Sequence, residues 1–405
     1  MPPAVMTTRA KPPAVNADGG PRLSILLMCT TFGVGGITRH ALELGAWLRA
    51  QGHAVAYAGT GGPWLNTDLD PAFLELPTQD ASGLGGNLAS RLANVGAGAR
   101  KLRAWLKRNP VDLIHAHESA PAMFARLASL GMNIPIAVTY HGSEPERVRQ
   151  FGQIARRSAD LVISVSRRCG DELETIGGVP AGQLQVIGLG VKPQPKVDAA
   201  RVAEARRALL GPTGLFLAVT VARVTEQKGI DILVEVARRV TAQRPDIHFA
   251  LVGDGPQTDE ARAWAAEAGV SANLHFVGRS EEPELYLQAA DLFLLTSRWE
   301  ALPFTIAEAF QAGLPAVATD CGGVAELIDA EVGRVVPIGD AEAIAAAVLE
   351  IAGDEALRRS MAAAAAARSL EDRFSPAHVH RRLEQTYRSL LTPRPLRGRG
   401  RGPPA

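Results

Sequence analysis

Apolar residues along the chain follow two alternating rhythms. Short β-rich runs occur at 24–30, 53–58, around Ile114, at 136–140 and at 161–165. Between most of them apolar residues return every three or four positions, as in 38–50, where Ala41, Leu44, Trp47 and Leu48 share a helical face. Alternation of this kind implies a parallel sheet with helices on both faces. The series restarts after Pro193 and Pro195, with strands predicted at 215–221, 248–252, 274–277, 292–296 and 315–319 and helices including 230–241 and 259–268. The pattern therefore predicts an α/β protein of two doubly wound domains, 22–192 and 193–375, with a linker near 190–195. A final amphipathic helix over 376–392, carrying Val379, Leu383, Tyr387 and Leu390, is expected to pack back on the first domain. Residues 1–21 and the basic, Pro- and Gly-rich stretch 393–405 are expected to be disordered tails.

Composition narrows the function. Hydrophobic residues make up 46% of the 405 positions, enough for two cores. The 43 Lys and Arg nearly cancel the 42 Asp and Glu, which argues against nucleic acid as a partner. Cys29, Cys169 and Cys321 form no CxxC pair, and no HExxH occurs, so neither a disulfide framework nor a structural zinc site is expected. Residues 1–20 lack the apolar segment of a signal peptide, and no run reaches the roughly 18 apolar residues of a membrane span. A cytoplasmic protein is expected, soluble or peripheral on the inner face of a membrane.

Doubly wound sheets bind ligands beyond the carboxyl ends of their strands, so the turns there carry the chemistry. The first turn holds Gly33, Gly35 and Gly36 ahead of a helix, which lets a ligand approach the backbone. A dinucleotide fingerprint would need Gly where Thr38 stands, and an acidic residue after Ala58-Gly59-Thr60. No GxxxxGK[ST] loop exists. In the second series, Arg223 and Lys228 sit at the mouth of the helix starting near Ile230. Two cations beside a helix N-terminus suit a diphosphate; two solvated charges are the plain alternative. The turn Gly253-Asp254-Gly255-Pro256 reads mostly as a strand-to-helix connection.

The segment 291–319 parses as strand, loop, helix, strand, with Glu300 in the loop and Glu308 eight residues later inside the helix. Pro303 suits the first helical turn and Gly313 its end. Glu308 lies among Ile306, Ala307, Ala309 and Phe310, where a carboxylate needs a partner; a ribose diol would supply two donors. The backbone N–H groups of Leu302 to Thr305, at the helix start with Pro303 and Phe304, would face the phosphates. Glu300 would sit farther out, within reach of a sugar.

These residues together resemble the family 4 glycosyltransferases, whose signature places two Glu eight apart before a Gly-x-Pro strand, as in 297–319 here. The resemblance runs from Leu23 to Leu391 and includes Gly35-Gly36, His115-Ala116-His117, Thr139-Tyr140-His141-Gly142, Arg223 with Lys228, and Cys321-Gly322-Gly323 before Glu326. It implies two facing Rossmann-like domains with a cleft between them, the GT-B fold, with a nucleoside-diphosphate sugar as donor. By that resemblance Arg223 and Lys228 bind the diphosphate, Glu308 the ribose, and Glu300 the transferred sugar, with His141 near that sugar and Gly36 allowing close approach. Gly35, His117 and Glu118 are candidate acceptor contacts, and His115 reads as a core residue. The resemblance further implies retention of anomeric configuration without a metal or other cofactor. The sequence departs from the family at Ala222 and Ala301, where Gly is usual, and at Gly188-Leu189-Gly190-Val191-Lys192, where Asn and Asp are lost.

The acceptor is not specified by these residues: glycan, lipid-linked or small-molecule acceptors all remain open. The stretch 91–108 interleaves Arg91, Arg100, Lys101, Arg103, Lys107 and Arg108 with Leu92, Leu102, Trp105 and Leu106, so it reads either as an anionic-membrane contact or as a solvated helix face. Two rival functions share the fold, a sugar-nucleotide epimerase and a non-catalytic binding protein. The Glu300–Glu308 pair favours transfer over the first. The presence of Arg223, Lys228 and Glu308 disfavours the second.

Overall fold

A computed structural model describes residues 20–65, 72–78, 88–212 and 215–392. The tails expected at 1–21 and 393–405 lie outside the described residues, apart from positions 20 and 21. The first series of elements is β1 (Ser24–Thr31), α1 (Gly36–Ala50), β2 (Ala54–Thr60), β3 (Phe73–Glu75), α2 (Leu88–Arg108), β4 (Leu113–Ala116), α3 (Ser119–Ala128), β5 (Ile136–Tyr140), α4 (Pro145–Ser158), β6 (Leu161–Ser164), α5 (Arg167–Thr175) and β7 (Leu184–Val186). The second is α6 (Ala199–Leu210), β8 (Phe216–Val221), α7 (Ile230–Thr241), β9 (Ile247–Val252), α8 (Thr258–Glu267), β10 (Leu274–Gly278), α9 (Pro283–Ala289), β11 (Leu292–Leu295), α10 (Phe304–Gln311), β12 (Ala316–Thr319), α11 (Val324–Leu327), β13 (Gly333–Val336), α12 (Ala341–Gly353), α13 (Glu355–Arg368) and α14 (Pro376–Leu391).

The strands form a seven-stranded sheet in the order β3-β2-β1-β4-β5-β6-β7 and a six-stranded sheet in the order β10-β9-β8-β11-β12-β13. Pairing is parallel in both. In each, the chain winds outward in opposite directions from two central neighbours, β1 with β4 and β8 with β11. That is the doubly wound Rossmann arrangement, and its ligand crevice lies where the winding reverses.

Both faces of the six-stranded sheet are buried, which explains its near-continuous apolar strands. Phe216 and Ala218, Phe249 and Leu251, and Leu292 and Leu294 point into one core with α7 and α12. Their neighbours Leu217 and Val219, Ala250 and Val252, and Phe293 and Leu295 point into the other, with α10.

Among the described residues, chain contacts give two compact units, one within 20–138 together with 154–162 and 380–392, the other of 139–153 and the stretch within 163–379. In the first unit, α14 buries Leu383 and Tyr387, and the Tyr387 hydroxyl lies 2.5 Å from His115 Nδ1 on β4. His53 Nε2 also meets Glu384 Oε1 of α14 at 3.2 Å. The C-terminal helix thus packs on the first sheet, as its apolar spacing predicts, and His115 is a bonded core residue. Among the described residues, no helix is long and apolar enough to cross a membrane.

Candidate active site

The second unit gathers the cationic and acidic residues at its switch point. β8 runs into a 3-10 turn, Glu226–Lys228, and β11 into the loop that carries Glu300. Between them Lys228 Nζ is bonded to Glu300 Oε1, and the Ser297 hydroxyl donates to that same oxygen at 2.7 Å. The Glu300 side chain is only 8% exposed, so this pair is screened from water far more than a surface pair. Arg223, on the same turn, is exposed and makes no ion pair among the described residues. One cation is therefore held by a carboxylate while its neighbour is free to meet an anion.

Tight packing fixes the backbone of this region. Gly229 adopts φ 59°, and a Cβ there would lie 2.3 Å from the Thr296 carbonyl. The turns after β8 and β9 press together, since a Cβ on Gly253 would fall 1.9 Å from the Ala222 carbonyl. The Glu300–Ala301 backbone is enclosed in the same way. A Cβ on Gly322, itself at φ +50°, would lie 2.0 Å from the Glu300 carbonyl. Gly142, at φ +82°, places a notional Cβ 3.0 Å from Ala301 Cβ. The buried Cys169 thiol contacts the Glu300 and Ala301 carbonyls at 3.9 Å, and burial pushes its pKa up to about 12, so it remains S–H. His141 immediately precedes Gly142, the residue that packs against Ala301. Burial drives its pKa down to about 3, which leaves the imidazole neutral at pH 7.

Helix α10 starts one residue later than Pro303, which takes the N-cap position. Leu302 precedes that cap, Phe304 begins the helix, and the Ile306 N–H donates back to the Pro303 carbonyl at 3.3 Å. Glu308 is 4% exposed and lies in the interior of α10 among Ile306, Ala307, Ala309 and Phe310, as its sequence context predicts. Gly313 closes the helix at φ 72°.

The first unit holds the other candidates at its own switch point. Gly35 caps α1 and has no atom within 4 Å of a notional Cβ, while Gly36 opens the helix and is exposed. His117 is fully buried, with its ring 4.4 Å from His115 and 5.2 Å from His40, centroid to centroid. Glu118 Oε2 accepts the Thr30 backbone N–H at 2.8 Å, and burial raises its pKa. Helix α2 exposes Arg100, Lys101, Lys107 and Arg108. Arg103 differs from that expectation: it turns inward and donates to the Ala128 and Leu130 carbonyls at 2.8 and 2.7 Å, closing the end of α3. The side chains of Arg91 and Leu92 lie outside the described residues.

Two contributors were not apparent from sequence. Ser297 holds Glu300, and its place at the head of the 297–319 segment was its one signal. Glu326 accepts the backbone N–H groups of Arg167 and Arg168 at 3.1 and 3.0 Å and so caps α5. Only its position after Cys321-Gly322-Gly323 hinted at a role.

Known proteins resemble the chain over both of its halves. The model for Glycosyltransferase Family 4 matches residues 34–194, and that for Glycosyl transferases group 1 matches residues 202–368. A phosphatidyl-myo-inositol mannosyltransferase of Mycolicibacterium smegmatis is 28% identical over 355 residues, covering 82% of this chain and 85% of that protein. A glycogen synthase of Mycobacterium tuberculosis is 27% identical over 371 residues, covering 84% and 87%. The crystal structure of Anabaena HepE in complex with UDP-glucose shares the fold, with a TM-score of 0.76 at 20% identity over 91% of this chain and 100% of that one. With one family model on each half, the chain belongs to the group 1, family 4 glycosyltransferases, enzymes of GT-B fold that use nucleotide-sugar donors.

Proposed function

We propose that the protein transfers a hexosyl or N-acetylhexosaminyl group from a nucleoside-diphosphate sugar to a glycan, lipid-linked or small-molecule acceptor, with retention of configuration, in cell-envelope or polysaccharide biosynthesis. The observation that carries this reading is the Lys228–Glu300–Ser297 cluster at the β8/β11 switch point, with Arg223 free beside it. In this reading Arg223, Lys228 and the N–H groups at the start of α10 neutralise the leaving diphosphate, so the countercharge comes from the protein rather than from a metal ion. Glu308 takes the ribose hydroxyls. Glu300 and the neutral His141 contact the transferred sugar.

Retention follows most simply from a front-face reaction in which the leaving phosphate assists removal of the acceptor proton. A covalent sugar–carboxylate adduct trapped on the protein would replace that mechanism with double displacement. For the acceptor, the open surroundings of Gly35 suit contact better than the enclosed ring of His117, and Glu118 keeps one carboxylate oxygen beyond its bond to Thr30. The mannosyltransferase relative is named for a phosphatidylinositol substrate, which favours a lipid-linked acceptor; the exposed cations of α2 support peripheral contact with an anionic membrane. Co-sedimentation with vesicles of anionic and of neutral lipid tests that contact, and equal binding to both removes it.

The transfer itself is tested by a panel of uridine, guanosine and adenosine diphosphate sugars, with binding, nucleoside diphosphate release and the anomeric NMR signal of the product measured. One donor is expected to stand out and to give a product of unchanged configuration. No binding across the panel, or an inverted product, would overturn the reading.

A further inference from the structure

We infer that Arg298, braced by Asp231, is a positioning residue for Lys228 and thereby sets how strongly the site prefers a diphosphate to a monophosphate. This rests on the proposed role of Lys228 as a phosphate ligand. Lys228 ends a 3-10 turn of three residues, too short to hold its own geometry. The stretch leaving β11 holds that turn from outside. Thr296 Oγ1 lies 3.0 Å from both the Lys228 and Gly229 carbonyls, and the Arg298 backbone N–H donates to the Gln227 carbonyl at 2.7 Å. The Arg298 guanidinium donates to the Glu226 carbonyl at 3.0 Å and to both Asp231 oxygens at 2.9 and 2.6 Å. The side chain of Gln227 returns the link, donating to the Trp299 carbonyl at 2.9 Å.

Arg298 therefore ties three things together: the turn bearing Lys228, the first turn of α7 through Asp231, and the loop that reaches Glu300 two residues later. Arg298 and Asp231 are 31% and 44% exposed along their side chains, and a pair so open to water contributes little to overall stability. Its bidentate planar geometry suits orientation instead. Loss of the guanidinium frees the Glu226 carbonyl and lets Lys228 wander. A ligand group that never reaches Lys228 should not register the change.

Titration calorimetry on the full chain, with UDP and UMP, GDP and GMP, and ADP and AMP, tests this using the pair whose diphosphate binds tightest. For Arg298→Met and for Asp231→Asn, the diphosphate Kd is expected to rise about tenfold, with the monophosphate Kd changed by less than about twofold. Arg298→Met on top of Lys228→Met should add no further loss of diphosphate preference. The inference is overturned by equal weakening of both ligands, or by an unchanged ratio in both variants while Lys228→Met lowers it. An unchanged ratio in Lys228→Met itself overturns the phosphate role of Lys228, and the brace with it.

Discussion

Lys228 is bonded to the carboxylate of Glu300, and the oxygen it meets is the one that also receives the Ser297 hydroxyl. A diphosphate that engages Lys228 meets an ammonium already paired with Glu300, and its charge weakens that pair. Under the proposed function this links two events: as the phosphate takes Lys228, the Glu300 carboxylate is released toward the sugar.

The competition makes an unusual prediction for Glu300→Gln. The amide keeps the shape but not the charge, so Lys228 loses its strongest competitor for phosphate. Affinity for the nucleoside diphosphate is expected to rise by up to about tenfold, while kcat for transfer falls by about a hundredfold or more. Calorimetry and initial rates together read both effects. A diphosphate affinity that falls with the rate would mean that Glu300 does not compete for Lys228.

Gly322 allows the backbone to pass the Glu300 carbonyl. Its φ of +50° and the 2.0 Å approach of a notional Cβ leave no room for a side chain. Gly322→Ala is expected to cost about 1–3 kcal/mol of stability and to displace the Glu300 loop, lowering kcat. Chemical denaturation and a donor assay measure the two losses. Gly35→Ala, with open space around it, should lose under about 1 kcal/mol. Equal losses at the two positions would contradict the packing described.

The main strands were legible because the sheet interior leaves apolar runs on both faces. The short strands β3, β7 and β13, of three or four residues and with partly exposed positions, leave no such run. The carboxylate pair was legible because Glu308 interrupts an apolar helix face. Arg298 was not, since its partners, the Glu226 carbonyl and the Asp231 carboxylate, are brought near only by the fold of the turn. Arg103 misled for a related reason: nothing in its spacing separates a cation facing solvent from one that closes the end of a neighbouring helix. His115 was rightly placed in the core, although its partner, Tyr387, lies 272 positions away along the chain.

His141 gives the protein a specific acid sensitivity. Burial lowers its pKa from 6.5 to about 3, so between those values the unfolded chain binds a proton that the folded chain refuses. The stability it contributes is therefore complete above pH 6.5 and is lost as pH falls toward 3. Against His141→Asn, the parent should lose up to about 1.4 kcal/mol more per pH unit in this window. Urea denaturation of both proteins at several pH values measures the difference. Parallel curves would show that the ring is not held neutral by its surroundings.

In the proposed function a nucleoside diphosphate sugar binds with its ribose on Glu308. Titration compares the preferred nucleoside diphosphate with its 2′,3′-dideoxy analogue on the parent protein and on Glu308→Gln. The parent should bind the intact ribose about tenfold or more tighter than the analogue, and Glu308→Gln should lose most of that preference. A preference of the same size in both proteins would contradict the claim.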